Sequence, residues 1–130
     1  MPSGATINGI EMRFKRYSEE YLTTRVSDSA IYLVDSTATQ QGDDYAGAGT
    51  WPATNTMSSI YGGSADTWNA GLDAADVRSS SFGVQLSAGG AYGQDLDAYV
   101  DVVQIRITYT EDGGSAIPAI ANHYARLRRA

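Results

Sequence analysis

The clearest alternation of apolar and polar positions in this chain runs from Val103 to Thr110. Val103, Ile105, Ile107 and Tyr109 fall on one side of a two-residue period, with Gln104, Arg106, Thr108 and Thr110 on the other. That period predicts a strand with one buried and one wet face. Its β-branched and aromatic residues suit a pleated surface, so Tyr99 to Thr110 is the expected central strand. A similar pattern opens the chain over residues 6–17, with Ile10, Met12 and Phe14 opposed to Glu11, Arg13 and Lys15. A third runs over residues 81–88, where Phe82, Val84 and Leu86 alternate with Gly83, Gln85 and Ser87. Around Ile31 and Leu33 both faces are apolar, as in a strand covered on both sides or packed on a neighbouring subunit.

Between these runs the chain is punctuated by turn-forming residues. Residues 18–26 predict a polar break and then a short strand or loop. Residues 37–55, rich in Gly, Ala, Thr, Gln and Asp, predict a long surface loop in which the Trp51 indole caps one end of the core. Residues 57–63 read as a short strand closed by a glycine pair, and 64–81 as irregular, with one helical turn at Asp73 to Val77. The glycines of 89–95 predict a hairpin turn that pairs strand 81–88 directly with the strand from Tyr99. Short strands, frequent turns and almost no helical period predict an all-β fold, an antiparallel, jelly-roll-like β-sandwich.

The segment after Gly113 follows a different pattern. Ile117, Ile120, Tyr124 and Leu127 recur at helical spacing, ending among Arg126, Arg128 and Arg129. Too short for a stable isolated helix, it needs a surface to lie on. The expected organisation is therefore a sandwich over 1–113 and a docking arm, extended or helical, over 114–130. The arm either docks on a neighbour or folds back on its own sandwich.

Composition narrows the chemistry. With 130 residues the chain fits one domain, burying about two thirds of its unfolded surface. It has no cysteine, which excludes disulfides and thiolate metal sites. Its apolar runs are too short to span a bilayer, and Met1-Pro2-Ser3-Gly4-Ala5 begins no secretory signal. Neither membrane nor cofactor is expected. The net charge is −6, and without its last three arginines the chain carries six positive against fifteen negative residues. So acidic a body repels a phosphate backbone, and no nucleic-acid partner is expected. The terminal arginines read either as a contact for an acidic surface or as a solvated end.

No catalytic residues are assigned. His123 is the only histidine, and no nucleophile-elbow, phosphate-loop or zinc-protease spacing occurs. Asp95, Asp97 and Asp101 resemble the first ligands of a calcium loop, yet the glycine and distal glutamate of that pattern are missing. They read first as turn carboxylates that keep a strand edge soluble, and no metal site is assigned. Nine tyrosines and two tryptophans against two phenylalanines exceed what a core needs, which favours an interaction surface. Trp68 is expected in the core, and Trp51, Tyr61 and Tyr92, in or beside loops, are the candidates for contact.

Further motifs are Tyr61-Gly62-Gly63, Trp68, Asp76-Val77, Ser81-Phe82-Gly83-Val84 and the Val100 to Tyr109 strand, preceded by the opening run over residues 2–14. Together they resemble a recurrent β-sandwich module of tailed-bacteriophage structural proteins, in which residues 2–14 match the first recognisable strand. The resemblance spans most of residues 2–110. It implies that 64–81 crosses between two sheets, and that the protein is a non-enzymatic virion component. A capsid decoration (cement) or other accessory protein is the first expectation; a glycan-binding module of a tail or fibre is the alternative. Expected partners are other virion proteins and further copies of the chain. The module usually has one more strand before the Pro-Ser-Gly turn, so that edge is either left open or covered by something else; left open, it is a second device for assembly beside the arm.

Overall fold

The computed structural model describes residues 1–22, 24–90, 96–111, 116–121 and 128–129, with the backbone alone for Tyr21, 116–121 and 128–129. Two sheets pack face to face as an all-β sandwich. The first is built on β1 (Thr6–Ser18) and β9 (Ala98–Thr110), paired antiparallel along almost their whole length. The second is built on β4 (Ser27–Val34) and β8 (Gly83–Gly89), also antiparallel. The residues on the apolar side of each predicted period make the core. Ile10, Met12 and Phe14 of β1 and Val103, Ile105, Ile107 and Tyr109 of β9 face Ile31 and Leu33 of β4 and Val84 and Leu86 of β8, all buried.

Shorter pieces complete the edges. β6 (Thr56–Met57) and β7 (Tyr61–Gly63) both lie on the side of β1 away from β9. Between and beside them Ser58 N–H donates to Phe14 O, and Ile10 N–H to Asp66 O. Both sides of β1 are thus occupied among the described residues. β5 (Gln40–Gln41) pairs with the end of β4, while β2 (Glu20–Tyr21) and β3 (Thr24–Arg25) form a small separate hairpin. Helix α1 (Ala74–Arg78) is the helical turn expected from Asp73 to Val77. It begins with a capping box: Asp73 accepts from Asp76 N–H at 2.9 Å, and Asp76 accepts from Asp73 N–H at 3.2 Å. Buried Ala74 and Val77 seat it on the core, in the connection that carries the chain from β7 in the first sheet to β8 in the second.

One expectation is corrected. β8 and β9 are not a hairpin: β8 pairs with β4 in the second sheet and β9 with β1 in the first. Each strand buries one apolar face, and in this fold those faces oppose each other across the core instead of lying side by side. Of the two forms expected for the arm, extended or helical, the described part takes the extended one. Ala116–Ala121 is a strand, β10, antiparallel to β9, with Ile117 opposite Tyr109 and Ile120 opposite Arg106. β11 (Arg128–Arg129) pairs in parallel with Gln85 and Leu86 of β8.

The β1–β9 register shifts twice, between Ile7 and Gly9 and again near its far end. Lys15 faces Val102 but Arg16 faces Val100, leaving Asp101 unmatched in a bulge. Beyond the bulge Tyr17 lies opposite Tyr99 on the outer face, while Arg16 and Ser18 turn towards the interior. Ser18 is buried, and the Arg16 side chain is 13% exposed.

Candidate functional site

Chemistry-bearing side chains converge most densely on Asp28. It sits in the Ser-Asp-Ser run that opens β4, and its side chain is 1% exposed. Trp51 Nε1 donates to its Oδ1 at 2.7 Å. Its Oδ2 accepts from Tyr61 Oη at 2.6 Å and from Gly47 N–H at 3.0 Å. Arg16 supplies the countercharge, its Nη1 at 3.6 Å from Oδ1, while the same Nη1 donates to Tyr61 Oη at 2.6 Å. The guanidinium also stands 4.7 Å from the centre of the Phe14 ring and 5.5 Å from that of Trp51. Phe14 in turn meets Trp51 edge-on at 5.6 Å and stacks on Tyr61 at 5.7 Å.

This carboxylate joins three parts of the chain. Arg16 and Tyr61 come from the first sheet, Asp28 from the second, and Gly47 and Trp51 from the long loop between β5 and β6. Burial and then the Asp28 hydrogen bond push the Tyr61 hydroxyl up to about 12, against the opposing pull of Arg16. Three hydrogen bonds and an ion pair thus engage Asp28, and Tyr61 is held protonated beside it. Among the described residues Arg16 Nε is the one buried side-chain polar atom without a hydrogen-bond partner.

Other carboxylates brace loops in the same way. Asp44 accepts from the backbone N–H groups of Ile31 and Ala46. Asp66 accepts from Tyr45 Oη at 2.7 Å and from Trp68 N–H at 2.8 Å. That bond, with burial behind it, raises the Tyr45 hydroxyl to about 12. Asp35 lies in the turn between β4 and β5. The Thr37 hydroxyl first, then the backbone N–H groups of Thr39 and Thr37, hold its carboxyl down to about 2. Asp101 accepts from Asn55 and Asp97 from Tyr99 Oη. Among the described residues no three His, Cys, Asp or Glu side chains gather within reach of one metal ion, and Asp95 lies outside those residues.

The predicted contact residues separate. Trp51 is 2% exposed and wedged between Phe14 and Arg16, so it offers no ring face to a ligand; its place at one end of the core is the one expected of it. Tyr61 is half-buried with its hydroxyl tied to Asp28. Ile117 and Ile120 lie in β10, and Arg128 and Arg129 in β11. Tyr92, Tyr124, Leu127 and Arg126, together with His123, lie outside the described residues.

One exposed aromatic site was missed. Tyr17 and Tyr99 stack with ring centres 4.6 Å apart and 12° between planes, and Tyr99 is 41% exposed. Asp97, close by, is the first cause of a raised Tyr99 hydroxyl. The signal for the pair was present as two strand-end tyrosines, but their meeting depends on the bulge at Asp101. Comparison with family models, with curated proteins and with solved structures gives no match to this chain.

Proposed function

We propose that this chain is a non-enzymatic structural protein of a tailed-phage particle, a capsid decoration or other accessory protein. The observation that carries the reading is how the residues of the resemblance pack together. Gly62 has φ +82°, and a side chain there would run into the Ile10 carbonyl and the Trp68 indole nitrogen. Trp68 is fully buried and donates from Nε1 to that same carbonyl at 2.8 Å. Asp76 closes the capping box of α1, and Val77, Phe82 and Val84 continue the core beside it. The motif residues thus form one contiguous unit around the crossover, as a shared structural module requires. A fold alone does not specify a role; the internal engagement of the loop carboxylates supports holding over catalysis.

The glycan-binding alternative keeps one supporting observation, the exposed Tyr17–Tyr99 pair, since stacking on sugar rings needs an accessible aromatic. Its platform would be that pair and not Trp51 or Tyr61.

Quantitative mass spectrometry of purified particles from the source of the sequence tests the reading. A copy number in proportion to the major capsid protein is the expected result. A number matching tail components would favour the tail or fibre alternative, and absence from particles would overturn the virion assignment.

A further inference from the structure

The outer face of the first sheet carries an exposed aromatic pair at one end of the β1–β9 ladder. Past the bulge at Asp101, Tyr17 lies opposite Tyr99 and the two rings stack at 4.6 Å. Stacking leaves each ring one face that its partner does not cover. Tyr17 is half-buried, whereas Tyr99 is 41% exposed. Among the described residues β10 runs beside β9 only from Ile105 to Thr110, and no strand lies beside Tyr99 on the side away from β1.

The pairing continues one rung beyond the tyrosines. Glu19 N–H donates to Asp97 O at 3.0 Å, and Asp97 N–H donates to Glu19 Oε2 at 3.2 Å. Residues two apart on a strand share a face, so Glu19 and Asp97, both exposed, stand beside Tyr17 and Tyr99. The Tyr99 hydroxyl donates to Asp97 Oδ2 at 3.2 Å and ties the two rungs together. Among the described residues no lysine or arginine lies within ion-pair distance of Glu19 or Asp97. Arg25 is already held by Glu20 and the Ser18 carbonyl. Lys15 shares the face but stands two rungs from Glu19, about 13 Å along the strand. Asp97 foremost, with Glu19 among the lesser causes, raises the Tyr99 hydroxyl, as a negative field at the ring does.

An open ring beside carboxylates that lack a countercharge fits a cation. The ring face attracts it through its quadrupole, and the carboxylates take its hydrogen bonds. A guanidinium meets both demands, because it is planar, weakly hydrated and forked. Successive rungs on one face are about 7 Å apart, so a guanidinium lying on the Tyr99 ring reaches Asp97. A neutral sugar on the same ring would leave the charge unanswered. The net charge of −6 draws a basic partner from a distance.

We propose that Tyr17, Tyr99, Glu19 and Asp97 form a docking site for an arginine-bearing segment of a partner protein. Tyr99 supplies the ring face, Tyr17 backs it by stacking, and the two carboxylates supply the charge. The inference rests on this patch alone, independently of any virion role.

Nuclear magnetic resonance titration of the full chain tests it, with the peptide acetyl-Gly-Arg-Gly-Arg-Gly-amide as probe. The same peptide with citrulline for arginine is the uncharged control, and maltohexaose is the sugar control. Saturable shifts are expected at the amides of Tyr17, Glu19, Asp97 and Tyr99 with the arginine peptide alone, weakening as salt is raised. Tyr99→Ala should weaken binding about two- to fivefold, and Glu19→Gln with Asp97→Asn at least as much. The second variant changes only exposed groups and carries the test should Tyr99→Ala fail to fold. No shift at these amides at millimolar peptide overturns the proposal, as does equal binding of the citrulline peptide or unchanged affinity in a folded variant. Saturation by maltohexaose without the arginine peptide also overturns it and assigns the pair to sugar.

Discussion

Asp28 illustrates how much of this fold depends on single polar side chains. Removing one partner of a buried ion pair leaves the other charge without compensation, and such losses typically cost about 3–5 kcal/mol. Asp28→Ala strands Arg16 and also removes the acceptor for Trp51, Tyr61 and Gly47. We expect a loss of that order in chemical denaturation. A change below about 1 kcal/mol, the range of an exposed pair, would contradict the anchoring role. Tyr61 adds a pH signature. Its folded pKa, about 12, lies above the ordinary tyrosine value of 10.0. The protonated form is favoured in the folded state, so its contribution is fully present below pH 10 and is lost as pH rises towards 12. Ultraviolet titration of the folded chain should show a group of tyrosines ionising late, one fewer of them in Tyr61→Phe. An unchanged titration in that variant would remove Tyr61 from the group.

Among the elements, the connection from β7 to α1 is the most demanding. Trp68 and Asn69 both have positive φ, 59° and 52°, a conformation that costs an ordinary residue about 1–2 kcal/mol. Trp68 is kept there by bonds on every side. Its N–H donates to Asp66, its carbonyl accepts from Asp43 N–H, its indole donates to Ile10 O, and its ring stacks on Tyr45 at 4.2 Å. Gly62 leaves the space in which the indole meets that carbonyl. Gly62→Ala combines a left-handed backbone cost with loss of a buried hydrogen bond, together about 2–4 kcal/mol. Thermal unfolding should register it as a clear drop in Tm. An unchanged Tm would mean that the Trp68–Ile10 bond does not hold the crossover.

At the scale of the whole molecule, two strongly apolar pairs of strands, β1 with β9 and β4 with β8, close one core. β1 and β9, nearly the full sequence apart, form the longest ladder.

The sequence by itself determined the strands β1, β4, β8 and β9, the faces that β1, β8 and β9 bury, the helical turn at α1 and the burial of Trp68. These follow from a two-residue period, capping chemistry and composition, all of which act over a few neighbouring residues. Only the tertiary structure decided which strands pair. Gly89 to Asp95 has the composition of a hairpin turn, yet partner choice depends on where two apolar faces can be covered together, a condition no local window contains. The same holds for Asp28, which looks like one more turn residue between serines until Arg16, Tyr61 and Trp51 arrive from distant segments. Tyr17 and Tyr99 meet on the outside because one bulged residue, Asp101, reverses the alternation beyond it. Such a reversal is invisible to periodicity, since it arises from the register between two strands and not from either strand alone.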